Sequence, residues 1–221
     1  MNIGVFTIAF NGYGRFVNEW LESVFKQSIK PKEIVLVLGK KHGTPEEVLK
    51  KAKKNKVKII FVEEEFSMGE LINKAIKDIK TEWVLRVDVD DILLNNAIEE
   101  IKNKSKNCDA VALKFLKYGI EKQSPMPEKE KILNWRKNYI ESGYVAIKRK
   151  FNDEILYYDD NDFPNFPFLF KAFYLGMKFD SSDKVCVVYQ KRDNSHSTGL
   201  RTKEKTLEAC KIIDEAIEVF K

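Results

Sequence analysis

The first half of the chain alternates between short apolar runs and amphipathic segments. Runs rich in β-branched residues predict strands at "NIGVFTIAF", "EIVLVL", "VKIIFV" and "EWVLRVD". Apolar residues recur at helical spacing in "RFVNEWLESVFKQ", in "TPEEVLKKAKK", and in "SMGELINKAIKDI", where Ser67 is a suitable N-cap. This alternation predicts an α/β fold with a mostly parallel central sheet covered by helices on both faces.

The second half is less regular. Its pattern predicts a helix at "NNAIEEIKNK", a strand at "DAVALKFLKYG", a polar loop at "EKQSPMPEKEK", a strand at "GYVAIKRKF", a buried helix at "FPFLFKAFYLG" that stops at Gly176, and a last strand at "KVCVVYQKR". After the polar stretch "DNSHSTGLR", one face of a helix from about Thr202 to Phe220 is apolar. We therefore expect one domain over residues 1–200 and an amphipathic C-terminal helix over residues 201–221, packed on the domain or at a homodimer or membrane interface.

Composition narrows the functional classes only a little. There are 39 basic and 34 acidic residues, a net charge of +5 that is spread along helix faces such as "EEVLKKAKKNK", which is typical of a solvated surface. Nucleotide phosphates, acidic lipid and nucleic acid remain candidate partners. No apolar run approaches the roughly 18–20 residues of a membrane span, and the three cysteines have no C-x-x-C spacing. We expect a cytoplasmic protein with no integral membrane segment, open to peripheral attachment at the membrane.

The stretch "WVLRVDVDDILL" places Asp88, Asp90 and Asp91 at the end of a predicted strand. Like charges this close raise each other's pKa and lose solvation on burial, so a compensating group is expected. Ligands of such sheets bind beyond the carboxyl ends of the strands, where Asn11 also follows the first strand. A divalent cation, Mn²⁺ or Mg²⁺, completed by a diphosphate is the usual occupant of such oxygen ligands. The alternative is that Asp91 caps the helix that follows.

Four blocks in order make the chain resemble the family-2 glycosyltransferases with the GT-A fold, from roughly Ile3 to Phe179. The first, "TIAFNGYGRFVNEWLESVFKQSIKPKEIVLV", contains a Ser-Val-x-x-Gln element formed by Ser23, Val24 and Gln27. "MGELINKAIKDIKTEWVLRVDVDD" holds two more, a helix with Gly69 and Asn73 and then the strand with its acidic motif, and "YYDDNDFPNFPFLFKAFYLGMKF" is the fourth. The resemblance implies a nucleotide-diphospho-sugar transferase: a central sheet flanked by helices, with the C-terminal helix appended.

Roles for the acidic residues follow from this resemblance. It implies that Asp90 and Asp91 are direct metal ligands and that Asp88 belongs to the metal or donor shell. It also implies that Asp160 is the general base on the acceptor hydroxyl, with Asp159 as neighbour and substitute. An acidic N-terminus of the helix that begins near Pro164 is the alternative for this second pair.

The same resemblance assigns residues to the donor. Phe10 and Asn11 match the lining of the nucleobase pocket, although Phe10 also suits a core position. His196 lies where related enzymes carry a loop that contacts metal or diphosphate, and an exposed loop histidine is the alternative. Four further residues are candidates for contacts with the donor. Gly69 and Asn73 lie on a predicted helix, and Arg192 and Arg201 are arginines that could bind phosphate.

One part of the pattern departs from the family. Leu38 and Gly39 stand where acidic residues usually contact the nucleobase or ribose, which puts the identity of the base in doubt. The usual proline of the first block is replaced by Ile8. The nearby "KKH", residues 40–42, suits either a solvated turn or a contact with phosphate.

The first functional hypothesis is therefore a hexosyltransferase-type, metal-dependent and inverting enzyme. It would move a sugar from a nucleoside-diphosphate sugar to a hydroxyl of a glycan, lipid-linked, protein or nucleic-acid acceptor. A second hypothesis is a glycosyltransferase that acts on nucleic-acid bases, supported by the net charge of +5 alone. A third is a binding module that has lost or altered donor use, motivated by Leu38 and Gly39.

Overall fold

The structure is a computed structural model that describes residues 1–63, 66–123, 144–154, 171–173 and 175–190, together with helical residues at 211, 214 and 218. Four candidate site residues lie outside the described residues: Asp159, Asp160, His196 and Arg201. Arg192 and most of the predicted C-terminal helix also lie outside them.

The described part of the chain contains nine strands and five α-helices. The strands are β1 (Ile3–Ala9), β2 (Glu33–Leu38), β3 (Lys58–Phe61), β4 (Trp83–Arg86), β5 (Ile92–Leu93), β6 (Ala110–Lys117), β7 (Ile120–Gln123), β8 (Val145–Lys148) and β9 (Phe179–Tyr189). The helices are α1 (Val17–Phe25), α2 (Glu46–Lys54), α3 (Met68–Asp78), α4 (Ala97–Lys104) and α5 (Arg149–Glu154), and a 3₁₀ turn over Tyr13–Phe16 precedes α1.

All nine strands form one sheet in the order β3-β2-β1-β4-β8-β6-β9-β5, with β7 paired to β6. The first four strands are parallel, as the alternating pattern predicts. The second half adds mixed pairing to this parallel part, since β8 runs antiparallel to both β4 and β6 while the β6–β9 pair is parallel. A tight turn also folds β7 back onto β6, because Tyr118 and Gly119 both have positive φ, as a two-residue hairpin turn requires.

Helices cover both faces of the sheet, as expected from the continuous apolar strands. Alternate residues of β1, such as Val5 and Ala9, pack against α1, α2 and α4 on one face. Their neighbours Phe6 and Ile8 pack against α3 and the start of α5 on the other face. The predicted capping box at Ser67 is present, since its side chain accepts from the Glu70 backbone N–H and Glu70 accepts from the Ser67 backbone N–H.

Three local predictions in the second half are corrected. Ile120–Gln123 forms β7, although "EKQ" was assigned to a polar loop. The strand predicted at "GYVAIKRKF" ends at Lys148, and Arg149 begins α5. Strand β9 begins at Phe179, five residues before the predicted start at Lys184. In each case pairing with β6 or β4 decides the element, because strand propensity depends on the neighbouring strand more than on local sequence.

Gln27 of the Ser-Val-x-x-Gln element has a structural role. Its side chain is 1% exposed and donates to the Leu94 carbonyl at 2.7 Å, while its amide oxygen accepts from the Ile98 N–H at 3.3 Å. The element thereby fixes the end of α1 to the segment that follows Asp91.

No helix in the described ranges combines the length and apolarity needed to cross a bilayer.

We predict that Gln27→Ala lowers the free energy of unfolding by about 1–3 kcal/mol, because the Leu94 carbonyl and the Ile98 N–H are left buried without this partner. Urea denaturation measures the loss. Lys26→Ala is the control, since the Lys26 side chain is 74% exposed and its removal should change stability by less than about 0.5 kcal/mol. Equal stability of Gln27→Ala and wild type would show that the amide contributes nothing.

Candidate active site

The acidic cluster forms a turn directly beyond the carboxyl end of β4. The N–H of Val87 still donates to the Phe6 carbonyl of β1 at 3.1 Å, and the N–H of Asp91 then donates to the Asp88 carbonyl at 3.1 Å. Within this turn Val87, Val89 and Asp91 are buried, whereas Asp88 and Asp90 are half-buried. We call residues 88–91 the acidic turn. Burial alternates along this turn, so that the carboxylates of Asp88 and Asp90 are accessible and that of Asp91 is buried.

Asp91 faces the protein interior and is 1% exposed. Its Oδ2 accepts from the Tyr144 hydroxyl at 2.5 Å, and its Oδ1 accepts from the Gln190 N–H at 2.9 Å. The acidic turn is thereby joined to the residue that precedes β8 and to the residue that follows β9. The alternative in which Asp91 caps a helix is wrong, because α4 begins only at Ala97.

Opposing effects act on the ionisation of Asp91. Burial raises its pKa, and the neighbouring negative charge of Asp88 raises it further. The hydrogen bonds from Tyr144 and Gln190 favour the carboxylate form and lower the pKa, but burial is the largest effect, so the net shift raises the pKa of Asp91. Burial also raises the pKa of Tyr144, so its phenol stays protonated and remains the donor.

Asp88 and Asp90 have the chemistry that suits a divalent cation. They present hard carboxylate oxygens from one short turn, and the Asp88 side chain is 48% exposed. Mg²⁺ and similar ions are commonly held by one or two carboxylates plus substrate phosphates, so a pair of carboxylates is a sufficient protein contribution. In the part of the chain that the structure describes, no group of three or more histidine, cysteine, aspartate or glutamate side chains is arranged to hold a metal.

Arg86 places a positive charge beside this pair. Its guanidinium lies 3.1 Å from the Asp88 carboxylate, and its side chain is 15% exposed because it stands at the end of β4. An ion pair with a planar guanidinium that is itself mostly buried restricts the rotamer of the carboxylate. Arg86 therefore orients Asp88 in addition to offsetting its charge.

The loops that follow β1 and β2 are joined along their backbones. The N–H groups of Asn11, Gly12 and Gly14 donate to the carbonyls of residues 40, 41 and 42, at 3.3, 2.8 and 2.7 Å. A Cβ atom at Gly14 would overlap the backbone of the second loop, so only glycine allows this approach. The "KKH" segment is thus a structured partner of the first loop.

His42 belongs to the same loop pair. Its Nδ1 accepts from the Thr44 N–H at 2.9 Å, and its ring centroid lies 6.1 Å from that of Phe61. Burial lowers the pKa of His42, which favours the neutral ring that this hydrogen bond requires. The side chain is therefore used inside the loop, in agreement with a turn rather than a phosphate contact.

Phe10 lies partly in the core and partly at the surface. It is half-buried, packs against the core, and stacks on the Tyr13 ring with centroids 6.2 Å apart. Gly39 is buried directly beside it, since a Cβ atom at Gly39 would lie 3.0 Å from the Phe10 Cβ. Leu38 points into the core at 1% exposure. At the two positions where the family usually carries acids, Leu38 therefore packs in the core and the Gly39 backbone lies close to Phe10.

The donor-side candidates on α3 share one face of that helix. Gly69 lies in its first turn and is buried, and Asn73 follows four residues later and is half-buried. Helix α3 packs against β1 and β2, and its N-terminal end follows β3 at the edge of the sheet that carries the acidic turn. The structure thus brings Phe10, Asn11 and Gly69 to the same edge as Asp88 and Asp90.

Sequence analysis missed four residues of this region: Tyr13, Arg86, Tyr144 and Gln190. The aromatic residue inside the turn "NGYG" and the arginine inside the apolar strand "WVLRV" were visible signals. Tyr144 and Gln190 gave no signal, because they approach Asp91 only through the pairing of distant strands.

Comparisons with known proteins agree with this architecture. The model of the family described as "Glycosyl transferase family 2" matches residues 4–151. An uncharacterized glycosyltransferase of Methanocaldococcus jannaschii is 23% identical over 181 residues, which cover 73% of this chain and 62% of that protein. The chain thus spans less than two thirds of that relative.

Among solved structures, S. aureus TarS 1–349 in complex with UDP-GlcNAc is similar with a TM-score of 0.75 and 20% identity, covering 98% of this chain and 66% of that one. Mannosyltransferase PcManGT from Pyrobaculum calidifontis, in complex with GDP-Man and Mn²⁺, has a TM-score of 0.67 and 15% identity, with coverages of 89% and 59%. Glucosyl-3-phosphoglycerate synthase from Mycobacterium tuberculosis, in complex with Mn²⁺, UDP and phosphoglyceric acid, has a TM-score of 0.67 and 11% identity, with coverages of 95% and 78%. At these identities the likeness shows a shared fold, which is the predicted GT-A fold.

We predict that Tyr144 and Asp91 stabilise the protein as a coupled pair. Tyr144→Phe should lower the free energy of unfolding by about 1–3 kcal/mol, because Asp91 loses a donor where water cannot replace it. A double-mutant cycle with Asp91→Asn, measured by urea denaturation in the presence of a chelator, should give a coupling energy above about 0.5 kcal/mol. Additive effects of the two substitutions would contradict the pairing.

Proposed function

The chain belongs to glycosyl transferase family 2, and from this premise we propose that it transfers a sugar from a nucleoside-diphosphate sugar to an acceptor hydroxyl. The observation that carries the proposal is the acidic turn, where Asp88 and Asp90 are accessible beyond the carboxyl end of a central strand. PcManGT and glucosyl-3-phosphoglycerate synthase share the fold and were both solved with Mn²⁺ and a nucleotide.

In this proposal Asp88 and Asp90 hold a divalent ion, Mn²⁺ or Mg²⁺, together with the diphosphate of the donor. Such an ion supplies Lewis-acid neutralisation of the negative charge on the leaving nucleoside diphosphate. Arg86 keeps the Asp88 carboxylate in one orientation. Asp91, which the resemblance also implied as a ligand, accepts protein hydrogen bonds at both oxygens, and we propose that it mainly holds the turn in place.

The transfer itself needs a base on the acceptor side. We propose Asp160, with Asp159 as its neighbour, for this role. The Asp160 carboxylate takes the proton of the acceptor hydroxyl as that oxygen bonds to the anomeric carbon, and the bond to the diphosphate oxygen breaks. Because attack comes from the face opposite the leaving group, the configuration at the anomeric carbon inverts.

The donor's base would lie at the loops that follow β1 and β2. Phe10 and Tyr13 offer stacked rings, and Asn11 lies at the exposed start of the turn. His196 and Arg201 are proposed to contact the diphosphate from the C-terminal segment. Since core packing and a glycine replace the family's acids at Leu38 and Gly39, the base is recognised without those carboxylates.

That replacement supports a second candidate function, a GT-A binding module with altered donor use. The two readings differ in a single outcome. A module would bind a nucleotide or glycan without transfer, whereas the enzyme would also hydrolyse or transfer the donor sugar in a metal-dependent reaction.

We predict that Mn²⁺ with at least one nucleoside diphosphate raises the melting temperature of the protein. At a ligand concentration of about 100 Kd the stabilisation is about 2.7 kcal/mol, which corresponds to roughly 5–10 °C for a chain of this size. A thermal-shift panel of UDP, GDP, ADP and CDP, each with and without Mn²⁺, tests this. Absence of any shift in a protein that melts cooperatively would reject the proposed function.

Asp90→Ala should abolish the metal-dependent part of that shift, because half of the proposed carboxylate pair is lost. Asp78→Ala is the matched control. Asp78 pairs with Lys58 at 2.7 Å near the opposite edge of the sheet, so its removal should leave the shift unchanged. An unchanged shift in Asp90→Ala would exclude Asp90 as a ligand.

Asp160→Ala should leave nucleotide binding intact and reduce transfer or donor hydrolysis by at least about 10²-fold, the usual contribution of a general base. Thermal shifts measure binding, and release of nucleoside diphosphate measures turnover. Asp159→Ala should retain more activity than Asp160→Ala. Full activity of the Asp160 variant would show that the base lies elsewhere.

A further inference from the structure

The carboxyl half of β6 extends well past the strand that carries the acidic turn. Strand β8 pairs with β6 only over Ala110–Ala112 and links it to β4. The N–H of Leu113 donates to the Tyr144 carbonyl, and the last four residues of β6, 114–117, pair with β7 on one side and β9 on the other. Because β6 runs parallel to β4, this three-stranded arm projects from the same edge of the sheet as the acidic turn.

The arm bends toward the acidic turn. The register of β6 and β9 shifts between Ala112 and Phe115, and an irregularity of this kind bends a strand pair. Leu113 and Phe115 then pack in the same core cluster as Val87 and Val89 of the segment that forms the turn. The hydrogen bond from the Gln190 N–H to Asp91 joins the end of β9 to the turn.

The register places a row of side chains on the inner face of the arm, near its tip. Lys117 pairs with Ile120 on β7 and with Tyr189 on β9, so all three point to one side. Side chains alternate along β6, so this side is that of Leu113 and Phe115, which faces the acidic turn. We call Lys117, Tyr118, Ile120 and Tyr189 the hairpin face.

The hairpin face is aromatic and accessible. Tyr118 is 62% exposed and Ile120 is 59% exposed. The Tyr118 ring meets the Tyr189 ring edge-on with centroids 6.1 Å apart, and the Lys117 amino group lies 4.9 Å from the Tyr189 ring centroid. Burial raises the pKa of Tyr189, the neighbouring charge of Lys117 lowers it, and the charges of Asp91 and Asp90 raise it.

The outer face of the same hairpin is different in character. Glu121 faces away from the row and forms an ion pair with Lys114 at 3.2 Å. The inner face is therefore aromatic and the outer face is charged. This difference fits an inner face that binds a ligand and an outer face that contacts water. An exposed hydrophobic residue alone is unremarkable, but two such residues in one row beside an acidic centre indicate a binding surface.

The composition of the face favours a carbohydrate as its ligand. Tyrosine rings offer flat apolar surface for the C–H side of a pyranose, and Lys117 offers a hydrogen-bond donor to its hydroxyls. A lipid chain would require a larger apolar patch without a lysine inside it. A nucleic-acid strand also stacks on aromatic rings, but its backbone needs a positively charged groove, and the four residues of the hairpin face include a single cation, Lys117.

We propose that the hairpin face binds a sugar ring of the acceptor, so that the acceptor of this protein is a neutral glycan. The proposal rests on the proposed function, because a transferase needs its acceptor hydroxyl beside the donor site. A glycan held on Tyr118 and Tyr189 extends from the arm toward the acidic turn.

The test compares wild type with two substitutions of Tyr118 in the full chain. Tyr118→Phe keeps the ring. Tyr118→Asn removes it and leaves an Asn-Gly pair, which suits the positive φ values of 54° and 76° at this turn, so the hairpin should remain intact. Binding is measured on an array of neutral oligosaccharides, with a 20-nucleotide single-stranded DNA and phosphatidylcholine–phosphatidylglycerol vesicles as competing probes. The Mn²⁺–nucleotide thermal shift is recorded for each protein.

Wild type and Tyr118→Phe should bind at least one neutral glycan, and Tyr118→Asn should bind it about tenfold more weakly. The nucleotide shift should be equal in all three proteins. The proposal is overturned if no glycan binds, if Tyr118→Asn binds as wild type does, or if Tyr118 instead determines binding of DNA or vesicles.

Failure of the proposed function gives a different result. In that case wild type shows no nucleotide shift, whatever the glycan array shows. A nucleotide shift in wild type without any Tyr118-dependent glycan binding rejects the hairpin face alone.

Discussion

The buried carboxylate of Asp91 is the constraint on which the site depends. A carboxylate at 1% exposure is unfavourable unless donors meet its oxygens, and here the donors come from Tyr144 and Gln190, which precede β8 and follow β9. The turn after β4 can therefore adopt its conformation only when the second half of the sheet has assembled around it. The irregular half and the acidic turn therefore stabilise each other, since each supplies hydrogen-bond partners that the other needs.

This arrangement explains why three neighbouring aspartates differ in their surroundings. The turn directs Asp91 into the interior and leaves Asp88 and Asp90 half-buried at the edge of the sheet. Arg86 and Gln27 also help to hold this arrangement in place. Arg86 orients the Asp88 side chain, and Gln27 fixes the backbone that follows β5. A rigid turn with two accessible carboxylates is a better ligand for an ion than a flexible one, because less conformational entropy is lost on binding.

The loops that follow β1 and β2 show how a departure from a family pattern is accommodated. Three backbone hydrogen bonds join them, and Gly39 lies against Phe10 so closely that a side chain there would have to displace it. At the two positions where acids are expected, Leu38 is thus part of the core and Gly39 lies against Phe10.

The sequence by itself determined the local elements of the first half, the family, and the position of the acidic turn. Hydrophobic periodicity and capping residues such as Ser67 act within a few residues, and strands β1 to β4 follow the simple parallel alternation. Only the tertiary structure decided the mixed pairing of the second half, the roles of Tyr144 and Gln190, and the difference between Asp91 and its neighbours. The reason is that these depend on which distant strands pair and in what register, and the partner of a buried carboxylate can lie 99 residues away in sequence.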